Sequence, residues 1–204
     1  MYSQNNEDHI IKNYFGNYVG TLLDIGANDG ITLSNSRLLI ENGWQGVLVE
    51  PSANCVAKLQ QLYINTNIQV LPYAVSNYVG KAKFWESGKH LSAKDHSLIS
   101  TIKENELKRW KGSRFYNYTE CETDVIDVKT LLNRSNHKTF DFISIDAEGE
   151  DITILKQLNL SATKLLCIEW NGNYLVKQDI QHYCKRYGLQ TVLHQNHENL
   201  LIIR

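Results

Sequence analysis

Residues 22–30 of the chain read Leu-Leu-Asp-Ile-Gly-Ala-Asn-Asp-Gly, and this stretch decides the fold class. Its apolar start predicts a buried strand, and the glycines that follow predict that the strand ends in a tight turn. Gly26 and Gly30 would let the backbone turn and would leave room for a ligand. Asp24 lies inside the apolar run, where an unpaired carboxylate is costly, so we expect it to contact a backbone donor or a bound cation.

Strands and helices alternate through the rest of the chain. Apolar runs predict strands at 21–26, 45–50, 67–76, 140–146 and 164–170. Helical patterns lie between and after them, at 31–42, 52–64, 127–134, 150–158 and 174–187. Two final runs, 189–194 and 199–204, predict an antiparallel hairpin. This order predicts a single α/β domain over residues 1–204, with a mainly parallel sheet covered by helices on both faces.

The composition is that of an ordinary globular protein, with 204 residues, 42% hydrophobic and 21% charged residues, and a net charge of −1. This charge gives no reason to expect nucleic acid or an anionic membrane as a partner. The sequence contains no apolar stretch long enough to span a bilayer. The four cysteines lie far apart without a Cys-x-x-Cys pair, which indicates a reduced, cytoplasmic chain.

Asn28 decides which cofactor the glycine turn suits. A dinucleotide fingerprint places a glycine at that position to make room for pyrophosphate, and the chain has no phosphate-loop lysine either. A cofactor without phosphates fits better, namely a nucleoside that carries an amino acid on a sulfonium centre. Asp24 and the backbone of Gly26 would contact its ammonium group, and Glu50, after the second strand, would accept both ribose hydroxyls. The pattern therefore predicts S-adenosylmethionine at the carboxyl end of the first strand.

With these motifs the chain resembles the FkbM-type class I S-adenosylmethionine-dependent methyltransferases over nearly its whole length. The matching pieces are Ser3-Gln4 with Glu7-Asp8, residues 24–30, Val49-Glu50-Pro51, residues 73–77 with Gly80, residues 140–149, and Ile168-Glu169. The resemblance implies a Rossmann-like sandwich with a seven-stranded, mostly parallel sheet in the order 3-2-1-4-5-7-6, whose strand 7 is antiparallel. It also implies methyl transfer to a hydroxyl oxygen, commonly of a sugar or a polyketide-type metabolite, and an N-terminal block that folds over the cofactor.

The same resemblance assigns roles by position. It implies that residues 24–30 hold the methionine end, that Glu50 holds the ribose and that residues 74–76 lie along the adenine. The implied cofactor-binding residues are Gln4, Asp24, Gly26, Ala27, Asn28, Gly30, Glu50, Pro51, Ser52, Ala74, Val75, Ser76 and Asp146. Residues 87–120 match no family pattern, and we expect them to be a variable insertion on the acceptor side. Aromatic residues in or beside this insertion would either face a sugar ring or pack under a loop; they are Trp85, Trp110, Tyr116 and Tyr118.

A sugar hydroxyl is a very weak acid, so a base or a metal must help it to lose its proton. Asp146 and Glu148 follow the fourth predicted strand and Glu169 ends the fifth, so we expect them at one edge of the sheet. In one arrangement Asp146, Glu169 and Asn171 bind a divalent cation such as Mg²⁺ or Mn²⁺. In the other, Asp146 or Glu148 is a direct general base. A purely structural alternative is that Glu148 ends a strand before the next helix.

Histidines supply further candidates for the base. His96 lies in the insertion, where an acceptor could reach it. His194 and His197 flank the predicted terminal turn, and we expect them to be solvated.

The predicted function is S-adenosylmethionine-dependent O-methylation of a sugar hydroxyl in glycan biosynthesis, with a sugar or glycan as the acceptor. The alternatives are methylation of a non-sugar small metabolite and a non-catalytic domain that binds a nucleoside cofactor. Asn28 disfavours a nicotinamide oxidoreductase. Because the family block begins at Tyr2, we also expect a catalytic domain of a longer protein that works beside glycosyltransferase domains.

Overall fold

A computed structural model of the chain describes residues 1–88, 97–113 and 116–204, and His96 lies outside these residues. The strands are β1 (Thr21–Ile25), β2 (Gln45–Val49), β3 (Ile68–Leu71), β4 (Ala74–Ser76), β5 (Gly80–Ser87), β6 (Tyr118–Asp127), β7 (Phe142–Ile145), β8 (Leu165–Glu169), β9 (Thr191–Gln195) and β10 (Asn199–Ile203). The helices are α1 (Glu7–Phe15), α2 (Arg37–Glu41), α3 (Ala53–Leu62), α4 (Glu104–Trp110), α5 (Val128–Arg134), α6 (Asp151–Leu155) and α7 (Tyr174–Lys185).

The main sheet has seven strands in the order β3-β2-β1-β7-β8-β10-β9. Numbered within this sheet alone, the order is 3-2-1-4-5-7-6, as the family resemblance implied. β10 runs antiparallel to β8 and to β9, whereas β3, β2, β1, β7 and β8 are parallel to one another. The prediction of a mostly parallel sheet with an antiparallel last strand is therefore confirmed.

β4, β6 and β5 form a separate three-stranded sheet that the sequence analysis did not predict. Pro72 lies between β3 and β4, so the strand predicted over 67–76 is divided between the two sheets. β5 and β6 pair antiparallel along their facing lengths. Residues 97–113 lie between these two strands in the chain. Thr101 connects this segment to the turn that follows β7 by donating a hydrogen bond from Oγ1 to Glu148 O at 2.8 Å.

The second helix is much shorter than its predicted range of 31–42, because it begins only at Arg37. Asp29 Oδ1 accepts hydrogen bonds from the backbone N–H groups of Ile31 (2.9 Å) and Thr32 (2.7 Å), and this local turn competes with a helix. Leu33 then adopts a φ of 56°, in the left-handed region. Residues 31–36 are therefore a loop, and this loop reaches the candidate site.

The central strands alternate between two apolar cores, one on each face of the main sheet. Leu23 and Ile25 pack with residues of α5, α6 and α7 on one face, whereas Leu22 packs with residues of α1, α2 and α3 on the other. This arrangement confirms the predicted helical layers on both faces and holds the carboxyl edge of the sheet rigidly in place. Every helix in the described part of the chain is too short or too polar to cross a bilayer.

Candidate active site

A cavity of about 530 Å³ opens at the carboxyl edge of the main sheet, beside the ends of β1, β2, β7 and β8. This volume is typical of small-molecule sites, and the position is the one at which open α/β sheets bind ligands. Several parts of the chain surround the cavity, among them the strand ends, the loop before α2, β4, residues 97–102 with α4, the turn between β9 and β10, and Gln4 near the N-terminus.

The glycines of the turn make room for neighbouring parts of the protein. Gly26 has a φ of 86°, and a Cβ there would lie only 1.7 Å from Asp146 O. At Gly30, with a φ of 74°, a Cβ would lie 2.7 Å from Leu59 Cδ2. The positive φ values agree with the tight turn expected from the sequence, and glycine is also needed at both positions so that the turn packs against β7 and α3.

Glu50 lies directly after β2, and its buried carboxylate lines the cavity. Its Oε2 accepts a hydrogen bond from Asn28 N at 2.9 Å, and its Oε1 accepts one from Ser52 N at 2.8 Å. Burial raises the pKa of Glu50 to about 7, although these two amides act in the opposite direction. Each oxygen keeps a lone pair for a ligand, so the carboxylate is able to accept two ribose hydroxyls.

Asp24 is buried within β1 and also lines the cavity. Its Oδ2 accepts a hydrogen bond from Ser36 Oγ at 2.6 Å, and Ser144, its neighbour on β7, is a second hydroxyl partner. Burial raises the pKa of Asp24 to about 6, although both hydroxyls lower it. Among the described residues the partners of Asp24 are therefore serine hydroxyls rather than the backbone donor that was one of the two expectations from the sequence.

Two buried asparagines line the cavity with unused hydrogen-bonding atoms. Asn28 Nδ2 and Asn35 Oδ1 have no hydrogen-bond partner within residues 1–88, 97–113 and 116–204. A buried donor or acceptor without a partner costs free energy, and a ligand can supply the missing bond. An amino-acid group offers a carboxylate to Asn28 and an ammonium to Asn35. These side chains therefore fit the methionine end of the predicted cofactor, and Asn35 is a residue that the sequence analysis missed.

Most of the predicted cofactor residues line the cavity, namely Gln4, Asp24, Gly26, Ala27, Asn28, Glu50, Pro51, Ala74, Val75 and Asp146. Gly30, Ser52 and Ser76 do not line it, and their direct contact with the cofactor stays a prediction. Gly30 packs against α3, Ser52 is the N-cap residue of α3, and Ser76 Oγ donates a hydrogen bond to Glu150 Oε1 at 3.0 Å. These residues support the cavity wall from behind.

The predicted acids meet at one place in the cavity. Carboxylate oxygens of Asp146, Glu148 and Glu169 lie within 4.8 Å of one another. Burial, followed by repulsion from neighbouring carboxylates, raises the pKa of Asp146 to about 7 and raises the pKa values of Glu148 and Glu169 well above their usual range. Asn171, the third predicted metal ligand, lines the same cavity.

A basic residue of α4 faces this acidic cluster. Arg109 Nη2 lies 3.4 Å from Glu148 Oε2, and Arg109 Nη1 lies 3.1 Å from Glu106 Oε2. The guanidinium also stacks over the ring of Trp110, with 5.1 Å to the centroid, and both residues line the cavity. The sequence analysis included Trp110 among the aromatic candidates but missed Arg109, because the irregular insertion gives no local sign of which face of α4 turns inward.

The histidine predictions have mixed outcomes. His96 belongs to the part of the chain that the structure does not describe, so its predicted role as a base stays a prediction. His197 is exposed, as expected, but it also lines the cavity in the turn between β9 and β10.

The N-terminal segment (residues 2–5) lies beside the same turn. Gln4 Nε2 donates a hydrogen bond to Glu198 Oε1 at 3.0 Å, and Asn5 Nδ2 donates one to Glu198 Oε2 at 2.6 Å. Gln4 and Glu198 both line the cavity. The segment therefore closes one side of the cavity, in keeping with the implied N-terminal block that folds over the cofactor.

The fold and this cavity define the class of protein. A seven-stranded sheet in this order, with an antiparallel strand near one edge and a ligand cavity at the carboxyl ends, is the Rossmann-like arrangement of class I methyltransferases. The family model of the methyltransferase FkbM domain matches residues 24–189. The chain therefore belongs to the FkbM methyltransferase family, which is S-adenosylmethionine-dependent.

Solved structures agree with this assignment. A methyltransferase FkbM from Methylobacillus flagellatus has a TM-score of 0.58 and 15% identity, covering 91% of this chain and 44% of that chain. The chain thus spans less than half the length of that relative. A ribosomal protein L11 methylase from Lactobacillus delbrueckii subsp. bulgaricus has a TM-score of 0.53 and 11% identity, covering 97% of this chain and 77% of that chain. No curated protein matches the chain significantly in sequence.

Proposed function

We propose that the chain transfers a methyl group from S-adenosylmethionine to a sugar hydroxyl of a glycan or glycoside. The observation that carries this proposal is that one cavity contains both the cofactor-side groups and the carboxylates of Asp146 and Glu148. A methyl donor beside the end of β1 and an acceptor beside α4 would then meet next to the end of β7. We propose that residues 1–204 act as one domain in this reaction.

On the cofactor side, the side chains of Asn28 and Asn35 bind the amino-acid end, and Glu50 binds the ribose hydroxyls. Ala74 and Val75 line the apolar part of the cavity that would contact the adenine. When bound, S-adenosylmethionine supplies a methyl group on a positively charged sulfur. An acidic cavity lining favours such a cation over the polyanionic dinucleotides.

On the acceptor side, residues 97–102 and α4 form the wall opposite the strand ends. Trp110 is the one residue of the four predicted aromatic candidates that lines the cavity among the described residues, and an aromatic side chain in the cavity wall suits contact with a sugar ring. Ser97 and Ser100 line the same wall and offer hydroxyl partners to sugar hydroxyls. This mixture of one aromatic face and several small polar groups supports a carbohydrate acceptor.

Methyl transfer is an in-line displacement, so the chain accelerates it mainly by holding the two reactants in line. The acceptor hydroxyl loses its proton as its oxygen forms the new bond to carbon. A carboxylate oxygen of Asp146 or Glu148 accepts that proton, since both side chains line the cavity where the two substrates would meet.

Calorimetry tests the cofactor first. We expect S-adenosylhomocysteine to bind in the micromolar range and NAD to give no heat. Binding of NAD without binding of S-adenosylhomocysteine would overturn the proposal.

An acceptor screen tests the reaction. Labelled S-adenosylmethionine is incubated with mono- and oligosaccharides and with non-sugar alcohols and amines, and the products are read by mass spectrometry. We expect methylated sugars, and methylation of non-sugar compounds alone would contradict the carbohydrate assignment.

Asp146→Asn should lower turnover about 100-fold or more while S-adenosylhomocysteine still binds. Asp179→Asn, at an exposed acid paired with Lys156, is the matched control and should leave turnover unchanged.

A further inference from the structure

The carboxylates of Asp146, Glu148 and Glu169 are brought together by the topology of the main sheet. β7 and β8 are adjacent and parallel, and Ile145 pairs with Ile168, so Asp146 and Glu169 follow at the same level of the two strands. Glu148 turns back toward them because its φ is 43°, in the left-handed region. The result is a cluster of three carboxylates, with oxygen atoms within 4.8 Å of one another.

Within residues 1–88, 97–113 and 116–204, a single guanidinium, that of Arg109, forms an ion pair with this cluster of three acids. Arg109 Nη2 lies 3.4 Å from Glu148 Oε2, and the same guanidinium is shared with Glu106. Glu169 is only 8% exposed, and its Oε2 has no hydrogen-bond partner among the residues described. A buried carboxylate oxygen without a donor is costly, and a second carboxylate beside it adds to that cost. A bound cation would supply the partner that this oxygen lacks.

We propose that Asp146, Glu148 and Glu169 bind one divalent cation of the Mg²⁺ or Mn²⁺ type. The donor set consists of oxygen atoms alone, which selects hard divalent cations over zinc or copper. This proposal rests on the proposed function for its chemical purpose: with the ion bound, Asp146 and Glu148 would act as its ligands instead of as direct bases, and the ion as a Lewis acid would lower the pKa of the acceptor hydroxyl. It replaces Asn171 of the ligand set predicted from the sequence with Glu148 and keeps the other two residues.

Arg109 competes with the cation for Glu148. The guanidinium on α4 already occupies one side of that carboxylate, so a bound cation must share Glu148 or displace Arg109. Displacement would move Arg109 away from the cluster and toward the acceptor side. Cation binding is therefore linked to the position of α4, and removal of Arg109 should strengthen it.

Binding of Mn²⁺ alone, followed by the electron paramagnetic resonance signal of the unbound ion, tests the site without any acceptor. We expect one Mn²⁺ per chain, displaced by excess Mg²⁺. Glu169→Gln should weaken Mn²⁺ binding about tenfold or more, and Arg109→Gln should strengthen it about fivefold. Asp179→Asn, the exposed acid-to-amide control, should not change it. Binding that is equally tight in wild type and Glu169→Gln, or no binding to the wild type, would overturn the site.

Two controls separate this outcome from failure to fold and from failure of the proposed function. Metal-free Glu169→Gln should unfold at a temperature equal to or above that of the wild type, because the substitution removes repulsion between carboxylates. It should also bind S-adenosylhomocysteine normally. Binding of S-adenosylhomocysteine without binding of Mn²⁺ would support the proposed function and contradict the cation site. Binding of Mn²⁺ at these residues without binding of S-adenosylhomocysteine would support the cation site and contradict the proposed function.

Discussion

Glu50 is the residue whose side chain bears most directly on cofactor binding. Both of its oxygens already accept backbone hydrogen bonds, which fixes the carboxylate in the cavity wall. We expect Glu50→Gln to weaken the binding of S-adenosylhomocysteine, measured by calorimetry, about tenfold or more. The reason is that hydrogen bonds to a charged group contribute about 1.5–3 kcal/mol. Glu86→Gln is the matched control, since Glu86 accepts a hydrogen bond from Ser52 behind the cavity. Equal weakening by both variants would contradict a direct contact with the ribose.

The same carboxylate, with Asp24, should make the stability of the apoprotein fall as the pH rises. Burial raises the pKa of Glu50 from 4.5 to about 7 and that of Asp24 from 3.8 to about 6. In this window the folded chain holds more protons than the unfolded chain, so the free energy of unfolding decreases as the pH rises from about 4 to about 7. The contribution of these two carboxyl groups to the free energy of unfolding is greatest below their pKa values in the unfolded chain and is lost above their raised pKa values in the folded chain.

Urea unfolding in EDTA at pH 5 and pH 8 measures this effect. We expect the wild type to lose more stability between the two pH values than Glu50→Gln does, by an amount on the order of 2–3 kcal/mol. Identical losses in the two proteins would show that Glu50 does not titrate differently in the folded and unfolded states.

At the scale of elements, the turn after β1 depends on close packing against β7. Gly26 and Gly112 have nearly the same positive φ, at 86° and 87°, but Gly26 faces a neighbouring backbone atom, Asp146 O, whereas a Cβ at Gly112 would meet nothing within 4 Å. We expect Gly112→Ala to lower the free energy of unfolding by about 1–2 kcal/mol, the backbone strain alone. Gly26→Ala should lose several kcal/mol or prevent folding, because a Cβ and a carbonyl oxygen cannot approach to 1.7 Å. Similar losses in urea unfolding would contradict this packing argument.

Elements encoded by local pattern could be predicted, and those that depend on distant pairing could not. The apolar run before Gly26 identified β1, and the alternation of strands and helices placed Asp146 and Glu169 at one edge of a parallel sheet. The start of α2 could not be predicted. Asp29 Oδ1 accepts hydrogen bonds from the backbone N–H groups of Ile31 and Thr32, and this turn replaces the first part of the predicted helix. The three-stranded sheet was missed because β5 and β6 pair across the thirty residues 88–117, which show little regular pattern in sequence.

The residues of the candidate site also divide into those that a local sequence pattern predicts and those that it does not. Glu50 and Asp146 could be predicted because each directly follows a strand, and the topology fixes where strands end. Asn35 and Arg109 could not, because their positions depend on the path of a loop and on which face of α4 turns inward. The family resemblance placed Ser76 along the adenine, whereas its hydroxyl donates a hydrogen bond to Glu150.

At the scale of the whole molecule, the two ends of the chain meet at the cavity. The N-terminal segment reaches Glu198, which precedes the last strand, through Gln4 and Asn5. Asn196 and Asn199, in and after the same turn, donate hydrogen bonds to Glu7 Oε1 at 2.6 and 3.1 Å. The N-terminal segment therefore closes over the cavity only when the hairpin of β9 and β10 is in place.

This closure should control how slowly the cofactor leaves. Glu198→Ala removes both acceptors for Gln4 and Asn5, which together contribute about 1–2 kcal/mol to the closed state at this partly exposed position. We expect the dissociation rate of S-adenosylhomocysteine, measured by stopped-flow displacement, to rise about five- to tenfold, with a smaller change in the association rate. Tyr2→Phe removes only the hydrogen bond from Tyr2 to Glu41, which does not line the cavity, and should leave the dissociation rate unchanged. If Glu198→Ala released the ligand as slowly as the wild type, the N-terminal segment would be a structural support and not a restraint on the cofactor.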